Sequence, residues 1–280
     1  MSLAFLFPGQ GSQCVGMGAD FFDRFSDIVD QANQELGYSL SELCLRDSDA
    51  QLGKTEFTQP ALYLASYLHA RSLLEDGAKP AFSAGHSVGE FAALASAGAM
   101  GFLDGLRMVA KRGEIMSKVS GGGMAAVIGL ESKGIKETLA SISADQIDLA
   151  NFNSPGQIVI SGPASQIQET LAPLKEAGAK LVVPLKVSGA FHSRMMAEPA
   201  RGFAEFLKGF SFSSPRIPVY SNVEAVPYPD AESIPDLLVR QIHSPVRWTE
   251  TILAMRKDGT TEFSECGPGV VLTKLLRQIQ

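Results

Sequence analysis

Ala81-Phe82-Ser83-Ala84-Gly85-His86-Ser87-Val88-Gly89-Glu90, followed at once by Phe91-Ala92-Ala93-Leu94-Ala95-Ser96-Ala97, reads as a strand that runs straight into a small-residue helix. Gly85-His86-Ser87-Val88-Gly89 fits G-x-S-x-G, a pattern common by chance. Between a strand and a helix it describes a nucleophile elbow, a tight and strained turn that two glycines permit. Such a turn lifts the Ser87 hydroxyl to the top of a sheet. It also aims the backbone N–H of Val88, at the new helix N-terminus, towards any oxyanion that forms. A glycine-rich turn whose serine only caps the helix is the plainer alternative. The flanking strand and helix favour the elbow.

Upstream, Leu3 to Phe7 is a buried strand ended by Pro8-Gly9-Gln10-Gly11-Ser12-Gln13. The loop imitates a dinucleotide fingerprint, with Asp30 near the spacing of a ribose-binding acid. Cys14 stands at the third glycine position, however, and Ile28 to Asn33 continues a helical pattern, so a Rossmann nucleotide site is rejected. What remains is a flexible loop whose Gln10 amide is a candidate for reaching an active site. Phe21, Phe22, Phe25, Ile28, Val29 and Ala32 recur at helical spacing and predict a core-facing stripe. A further helix is predicted from Gln59-Pro60 to Gly77, delivering the chain into the strand before Ser87.

Downstream, residues 102–116 form a helical pattern with Leu103, Leu106, Val109, Ala110 and Met116 on its apolar side. Gly113 in its middle costs on the order of 1 kcal/mol relative to alanine and suggests close packing against another backbone. Arg112 borders that contact, which makes it a candidate anion binder instead of a solvated surface residue.

The texture then changes. Ser120-Gly121-Gly122-Gly123 is a hinge by composition. After it come strand 124–130, helix 132–143, strand 147–152, the turn Asn153-Ser154-Pro155-Gly156, strand 157–162, helix 164–177 and strand 180–187. This β-α-β-β-α-β order predicts a ferredoxin-like small lobe over residues 122–188, inserted into a large α/β lobe made of 1–121 and 189–280. The chain leaves the insert at Ser188-Gly189-Ala190-Phe191-His192-Ser193. Among the four histidines, His69 falls within a helix as a structural residue and His86 adjoins Ser87. His192 sits on a loop at the lobe junction, which raises it above an ordinary surface histidine. The last third continues with strand 217–222, a helix to about Ile242, another after Trp248, strand 261–266, the turn Gly267-Pro268-Gly269 and a closing helix over 270–279.

The 280 residues, 45% hydrophobic and 19% charged, exclude a disordered chain and suit a globular enzyme. A net charge of -6 argues against nucleic-acid binding. Three widely spaced cysteines, without a CxxC or histidine-rich neighbour, predict reduced thiols in a cytoplasmic compartment and no metal site. No signal sequence is recognised at the N-terminus, and nowhere do about 18 apolar residues run together, so no membrane span is expected.

A serine hydroxyl needs a base at neutral pH, and histidine supplies one. Ser87 and His192 are far apart in sequence, so only the fold unites them. An ordinary α/β hydrolase takes its triad acid from between the two. No carboxylate there lies at an obvious strand end outside the insert, which points to a Ser-His dyad with a backbone carbonyl orienting the imidazole.

Phe7-Pro8-Gly9-Gln10-Gly11-Ser12-Gln13, Gly85-His86-Ser87-Val88-Gly89-Glu90, Arg112-Gly113, Asn153-Ser154-Pro155-Gly156-Gln157, Gly189-Ala190-Phe191-His192-Ser193 and Gly267-Pro268-Gly269 together resemble the malonyl-CoA:acyl carrier protein transacylases and the acyltransferase domains of polyketide synthases. Order and spacing match over effectively the whole chain. The resemblance implies an α/β-hydrolase-like large lobe with a parallel sheet. It makes Ser87 the nucleophile on a malonyl thioester, with His192 as its base, first for the serine and then for the carrier protein's phosphopantetheine thiol. It implies an oxyanion hole from the backbone N–H groups of Val88 and Gln10. Arg112 would grip the malonyl carboxylate in bidentate fashion, a geometry lysine does not reproduce. His86 and Met116 would line the pocket, and the Gln241 carbonyl would orient His192. In relatives a phenylalanine before the catalytic histidine accompanies malonyl, so Phe191 would fill the space of a methyl branch, worth about 1–3 kcal/mol.

Gly-Ala-Phe-His-Ser is closer to polyketide acyltransferases than to fatty-acid enzymes, and both pathways remain open. Malonyl-CoA and acyl carrier protein are the implied substrate and partner, with no bound cofactor or metal and a monomer expected. The rivals are a hydrolase releasing acyl groups from carrier proteins and a non-catalytic docking protein.

Overall fold

The structure is a computed structural model that describes residues 2–187 and 189–280. Ser188, the expected last residue of the small lobe, lies outside them. The first stretch contains β1 (Leu3–Phe7), α1 (Ala19–Phe22), α2 (Ser26–Leu36), α3 (Leu40–Leu45), α4 (Thr55–Glu75), β2 (Pro80–Gly85), α5 (Gly89–Ser96) and α6 (Phe102–Ser117). Next come β3 (Gly122–Ile128), α7 (Ser132–Ser141), β4 (Asp148–Ser154), β5 (Gln157–Pro163), α8 (Ala164–Glu176) and β6 (Leu181–Pro184). The chain closes with α9 (Ala197–Leu207), β7 (Val219–Tyr220), α10 (Ser233–His243), α11 (Trp248–Lys257), β8 (Glu262–Glu265) and α12 (Val271–Leu276).

One sheet is parallel, in the order β7-β2-β1-β8. The central strand β1 reads as an unbroken apolar run because both of its faces are covered. Side chains alternate across it: Phe5 and Phe7 enter the main core with α4 to α6, whereas Ala4 and Leu6 meet Trp248, Ile252 and Leu272 from α11 and α12. The aromatic stripe of the N-terminal helices behaves as predicted, with Phe22, Phe25, Val29 and Ala32 buried in that core.

The second sheet is antiparallel, in the order β4-β5-β3-β6. On one face Ala125, Val127, Ile158 and Ile160 pack with Ile135 and Leu139 of α7 and Ile167 and Leu174 of α8. The alternate residues Met124, Ala126, Ala150 and Val159 join the main core, so the second face of this sheet leans on the first lobe. Backbone bonds tie them further: Phe152 N–H donates to the Val246 carbonyl at 2.9 Å and Val246 N–H to that of Ala150 at 2.9 Å.

Several boundaries differ from the sequence expectation. The helix predicted from Gln59 begins at Thr55, since the Lys54 carbonyl accepts from the Phe57 and Thr58 N–H groups at 2.9 and 2.8 Å, leaving Pro60 inside its second turn. Asn153 and Ser154 belong to β4, and the hairpin turn shrinks to Pro155-Gly156. The strand predicted over 180–187 stops at Pro184, which cannot donate to a ladder, and the one over 217–222 pairs only at Val219 and Tyr220. The closing helix is likewise shorter, Val271–Leu276.

Among the described residues no helix is long and apolar enough to cross a membrane. No group of three or more His, Cys, Asp or Glu among them is arranged to hold a metal ion. Cys14, Cys44 and Cys266 are free thiols.

Candidate active site

Ser87 stands between the C-terminal end of β2 and the start of α5, with φ of 53°. A non-glycine residue in the left-handed region is strained, and such strain persists only where the surroundings enforce it. The two motif glycines do not themselves take the unusual φ; they permit the tight turn by allowing close contact. A Cβ on Gly85 would lie 2.0 Å from the Gly89 carbonyl carbon, and one on Gly89 would lie 2.2 Å from the Phe7 carbonyl oxygen. Asn222, just past β7, clamps the turn by accepting from Ser87 N–H at 2.7 Å and donating Nδ2 to the Gly85 carbonyl at 2.6 Å.

His192 meets this serine from the far end of the chain, with Nε2 2.8 Å from Ser87 Oγ. Its Nδ1 lies 2.8 Å from the Gln241 carbonyl and 3.2 Å from that of Ser244. A carbonyl only accepts, so Nδ1 carries the hydrogen and Nε2 presents a lone pair to the serine. These acceptors belong to the last turn of α10 and the residue after it, where helix carbonyls lack intrahelical partners. A helix C-terminus thus occupies the place of a triad acid. Ile242, in the same turn, accepts from the His192 N–H at 3.2 Å. Burial and the adjacent Arg112 cation push the imidazole down to about 3, which keeps it neutral.

Arg112 comes from mid-α6 and is 1% exposed. Gly113 beside it lets α6 approach α4, since a Cβ there would stand 2.9 Å from the Thr55 carbonyl oxygen. The guanidinium is held at three points: Nη1 donates to Gln59 Oε1 at 2.8 Å, while Nη2 donates to Gln241 Oε1 at 2.9 Å and to Ser87 Oγ at 3.1 Å. Its Nε–H has no partner among the described residues, and burial lowers the guanidinium to about 10.

A cavity of about 80 Å³ opens over these groups. It is lined by Gln10, His86, Ser87, Val88, Arg112, Met116, Phe191 and His192, and across from them by Met124, Asn151, Leu185 and Val187 of the second lobe and its exit. Of the site residues expected from the sequence, all but Gln241, whose Oε1 holds Arg112, line this one space. Neither the Val88 nor the Gln10 backbone N–H has a hydrogen-bond partner among the described residues. The Gln10 side chain is engaged with Thr55 at 3.1 Å. His86 Nε2 is 2.8 Å from Asn153 Oδ1, and burial lowers its pKa. A second cavity of about 320 Å³ shares Gln10 and His86 with the first and runs past Asn153 and Gln157 to α12. A groove of about 600 Å³ touches His192 from the side of α7 but contains neither Ser87 nor Arg112.

Sequence reasoning missed Gln59, Glu90, Asn151 and Asn222. Glu90 and Asn222 had a signal available, namely a lone charge in the small-residue helix α5 and a polar residue at the end of the predicted strand 217–222. Gln59 and Asn151 had none. His69 is structural, as predicted: its Nδ1 accepts from Gly267 N–H at 3.0 Å.

A serine beside a neutral histidine, two amide N–H groups without partners among the described residues and a buried guanidinium are the groups that an enzyme of acyl transfer to and from a hydroxyl requires. The match of residues 4–279 to the acyl transferase domain model agrees, and the chain belongs to that family. It is 50% identical over 277 residues to the polyketide biosynthesis protein ThaF of Burkholderia thailandensis, covering 99% of this chain but only 24% of that protein. It is 47% identical to PksC of Bacillus subtilis, a polyketide biosynthesis malonyl CoA-acyl carrier protein transacylase, over 99% of this chain and 97% of the relative. Among solved structures, a malonyl-transacylase in complex with a type II polyketide synthase acyl-carrier protein, PlMCAT:AntF, superposes with a TM-score of 0.95 at 39% identity, covering 100% of this chain and 93% of that one.

Proposed function

We propose that this chain moves a malonyl group from malonyl-CoA, through an acyl-enzyme on Ser87, to the phosphopantetheine thiol of an acyl carrier protein. The observation that carries the substrate choice is the buried Arg112 guanidinium, 3.1 Å from the nucleophile. A desolvated cation beside the reacting serine suits an acyl group that ends in a carboxylate.

His192 Nε2 takes the Ser87 proton as Oγ attacks the thioester carbon. The carbonyl oxygen becomes an oxyanion received by the Val88 and Gln10 N–H groups. The C–S bond then breaks, and the CoA thiolate leaves with the proton from His192. In the second half the phosphopantetheine thiol gives its proton to His192 and attacks the ester, and Ser87 Oγ recovers that proton. The 80 Å³ cavity supports a short acyl group, and the 320 Å³ cavity beside it offers a route for the thioester arm. Phe191 narrows the pocket against a methyl branch, while His86 and Met116 form its walls and the Gln241 carbonyl orients His192. No bound cofactor takes part.

The architecture proposed for this function is an α/β-hydrolase-like lobe of residues 1–121 and 189–280 with a ferredoxin-like lobe over 122–188, monomeric and cytoplasmic. The strand order β4-β5-β3-β6 supports the second description. The pathway is fatty-acid or polyketide synthesis, the latter favoured by the Gly-Ala-Phe-His-Ser stretch.

Intact mass spectrometry after mixing with malonyl-CoA tests the proposal. A malonyl adduct is expected on the wild type and not on Ser87→Ala, and it should move to added carrier protein instead of to water. Release to water alone would make the enzyme a hydrolase.

A further inference from the structure

We infer that Glu90 is a positioning residue for this reaction: buried behind Gln241, its carboxylate sets the direction of the Gln241 amide and thereby holds Arg112 beside Ser87. This rests on malonyl transfer as the reaction.

Glu90 is 0% exposed on the first turn of α5, an otherwise apolar helix. An acid there is costly unless every oxygen is bonded. The Tyr228 hydroxyl donates to Oε1, Gln241 Nε2 donates to Oε2 at 2.6 Å, and the Asn222 N–H reaches both oxygens at 3.3 Å. All these partners are donors, so the pocket is built for an acceptor.

Glu90 makes no ion pair with Arg112 within contact distance; the Gln241 amide stands between them. Its Oε1 accepts from Arg112 Nη2 at 2.9 Å, while its Nε2 donates to Glu90 and, at 2.9 Å, to the Ser87 carbonyl. Reversing the amide would set its NH2 against guanidinium donors and its oxygen against a carboxylate and a carbonyl. The carboxylate therefore forbids the flip. With Gln241 Oε1 fixed on one side and Gln59 Oε1 on the other, the guanidinium has one place to lie. Among the described residues Glu90 is also the one buried acid, a charge of the sign that balances Arg112 before a substrate carboxylate arrives.

The test compares Glu90→Gln with the wild type in transfer from malonyl-CoA and from acetyl-CoA to a carrier protein at pH 8, with folding checked by thermal melting. Removing the charge weakens one of the three contacts that fix the Gln241 amide and loosens its hold on Arg112. Malonyl transfer is expected to fall about tenfold, mainly through a raised KM, with acetyl transfer within about twofold. A parallel loss with both acyl groups would mean that Glu90 is only packing, and no loss in either would also overturn the inference. Should Glu90→Gln fail to fold, Tyr228→Phe removes one donor and keeps the carboxylate; a smaller loss confined to malonyl is expected, and an unchanged malonyl-to-acetyl ratio would overturn the inference. A wild type that takes no malonyl onto Ser87 would instead refute the proposed function.

Discussion

The turns that carry Ser87 and His192 do the same thing by different means. Both residues sit in the left-handed region, with φ of 53° and 57°, although neither is glycine. The serine turn closes through its own glycines, because Gly85 and Gly89 have no side chain to keep the backbones apart, and Asn222 clamps it from a distance. The histidine turn is held from outside, by carbonyls at the end of α10 about fifty residues further on. A turn closed by adjacent glycines leaves a signature beside it, whereas supports that arrive from a distance, as Asn222 and the α10 carbonyls do, leave none.

The strongest way to break this comparison is to remove either end of the dyad. Ser87→Ala should abolish the malonyl adduct, and His192→Ala should slow acyl-enzyme formation by about 10⁴-fold or more, read by quenched-flow mass spectrometry. A much smaller loss in His192→Ala would mean that another base serves Ser87. Arg112→Ala comes next. Loss of charge-assisted bonds worth about 1.5–3 kcal/mol each should cost malonyl transfer on the order of 10²-fold or more and move preference towards uncharged acyl groups in a competition assay. Arg112→Lys should not restore it.

The glycines of the two turns separate their supports. Gly89→Ala drives a methyl group into the Phe7 carbonyl, and a loss of about 3 kcal/mol or failure to fold is expected on thermal or denaturant melting. An alanine at Gly189 would meet the Phe191 ring edge at 2.7 Å and the Met196 methyl at 3.2 Å, both far ends of side chains, so a loss of about 1 kcal/mol is expected. Equal losses would show that the histidine turn is as locally determined as the other.

The smallest effect is on pH. A general base works when neutral, and His192, the proposed base, is held at about 3, so it should impose no acid limb on the rate near pH 6.5. Without the Arg112 cation its pKa should rise, and Arg112→Ala should show the limb at higher pH than the wild type. Stability follows the same groups. Between about 3 and 6.5 the unfolded chain protonates this histidine and the folded one does not, so stability is lost as pH falls. Glu90 opposes it, because burial raises its carboxyl to about 7 from 4.5 and the folded state holds that proton as pH falls through this range. Glu90→Gln should therefore lose stability more steeply between pH 6.5 and 4.5, measured by melts across that window.

The elbow at Ser87, the apolar strand Leu3–Phe7 and the close helix packing at Arg112-Gly113 were all readable in the sequence. Each announces itself through residues within a few positions of one another, even where its contacts lie far along the chain. Strand ends near Pro184 and Val219 were overextended because apolar residues there serve packing and the pocket wall, as Val187 does, instead of a ladder. Gln59, Asn222 and Glu90 escaped notice because their parts are played by hydrogen bonds spanning 53, 135 and 151 residues.

By itself the sequence determined which groups are available: a serine on a glycine-bounded turn, a loop histidine, an arginine beside a helix glycine. That they meet, and that a helix end takes the place of an acid, was decided only by the tertiary structure. A backbone carbonyl is present at every residue, so nothing in the letter at 241 reports that this one ends a helix against an imidazole. Packing of α10 against the His192 loop gives it that part.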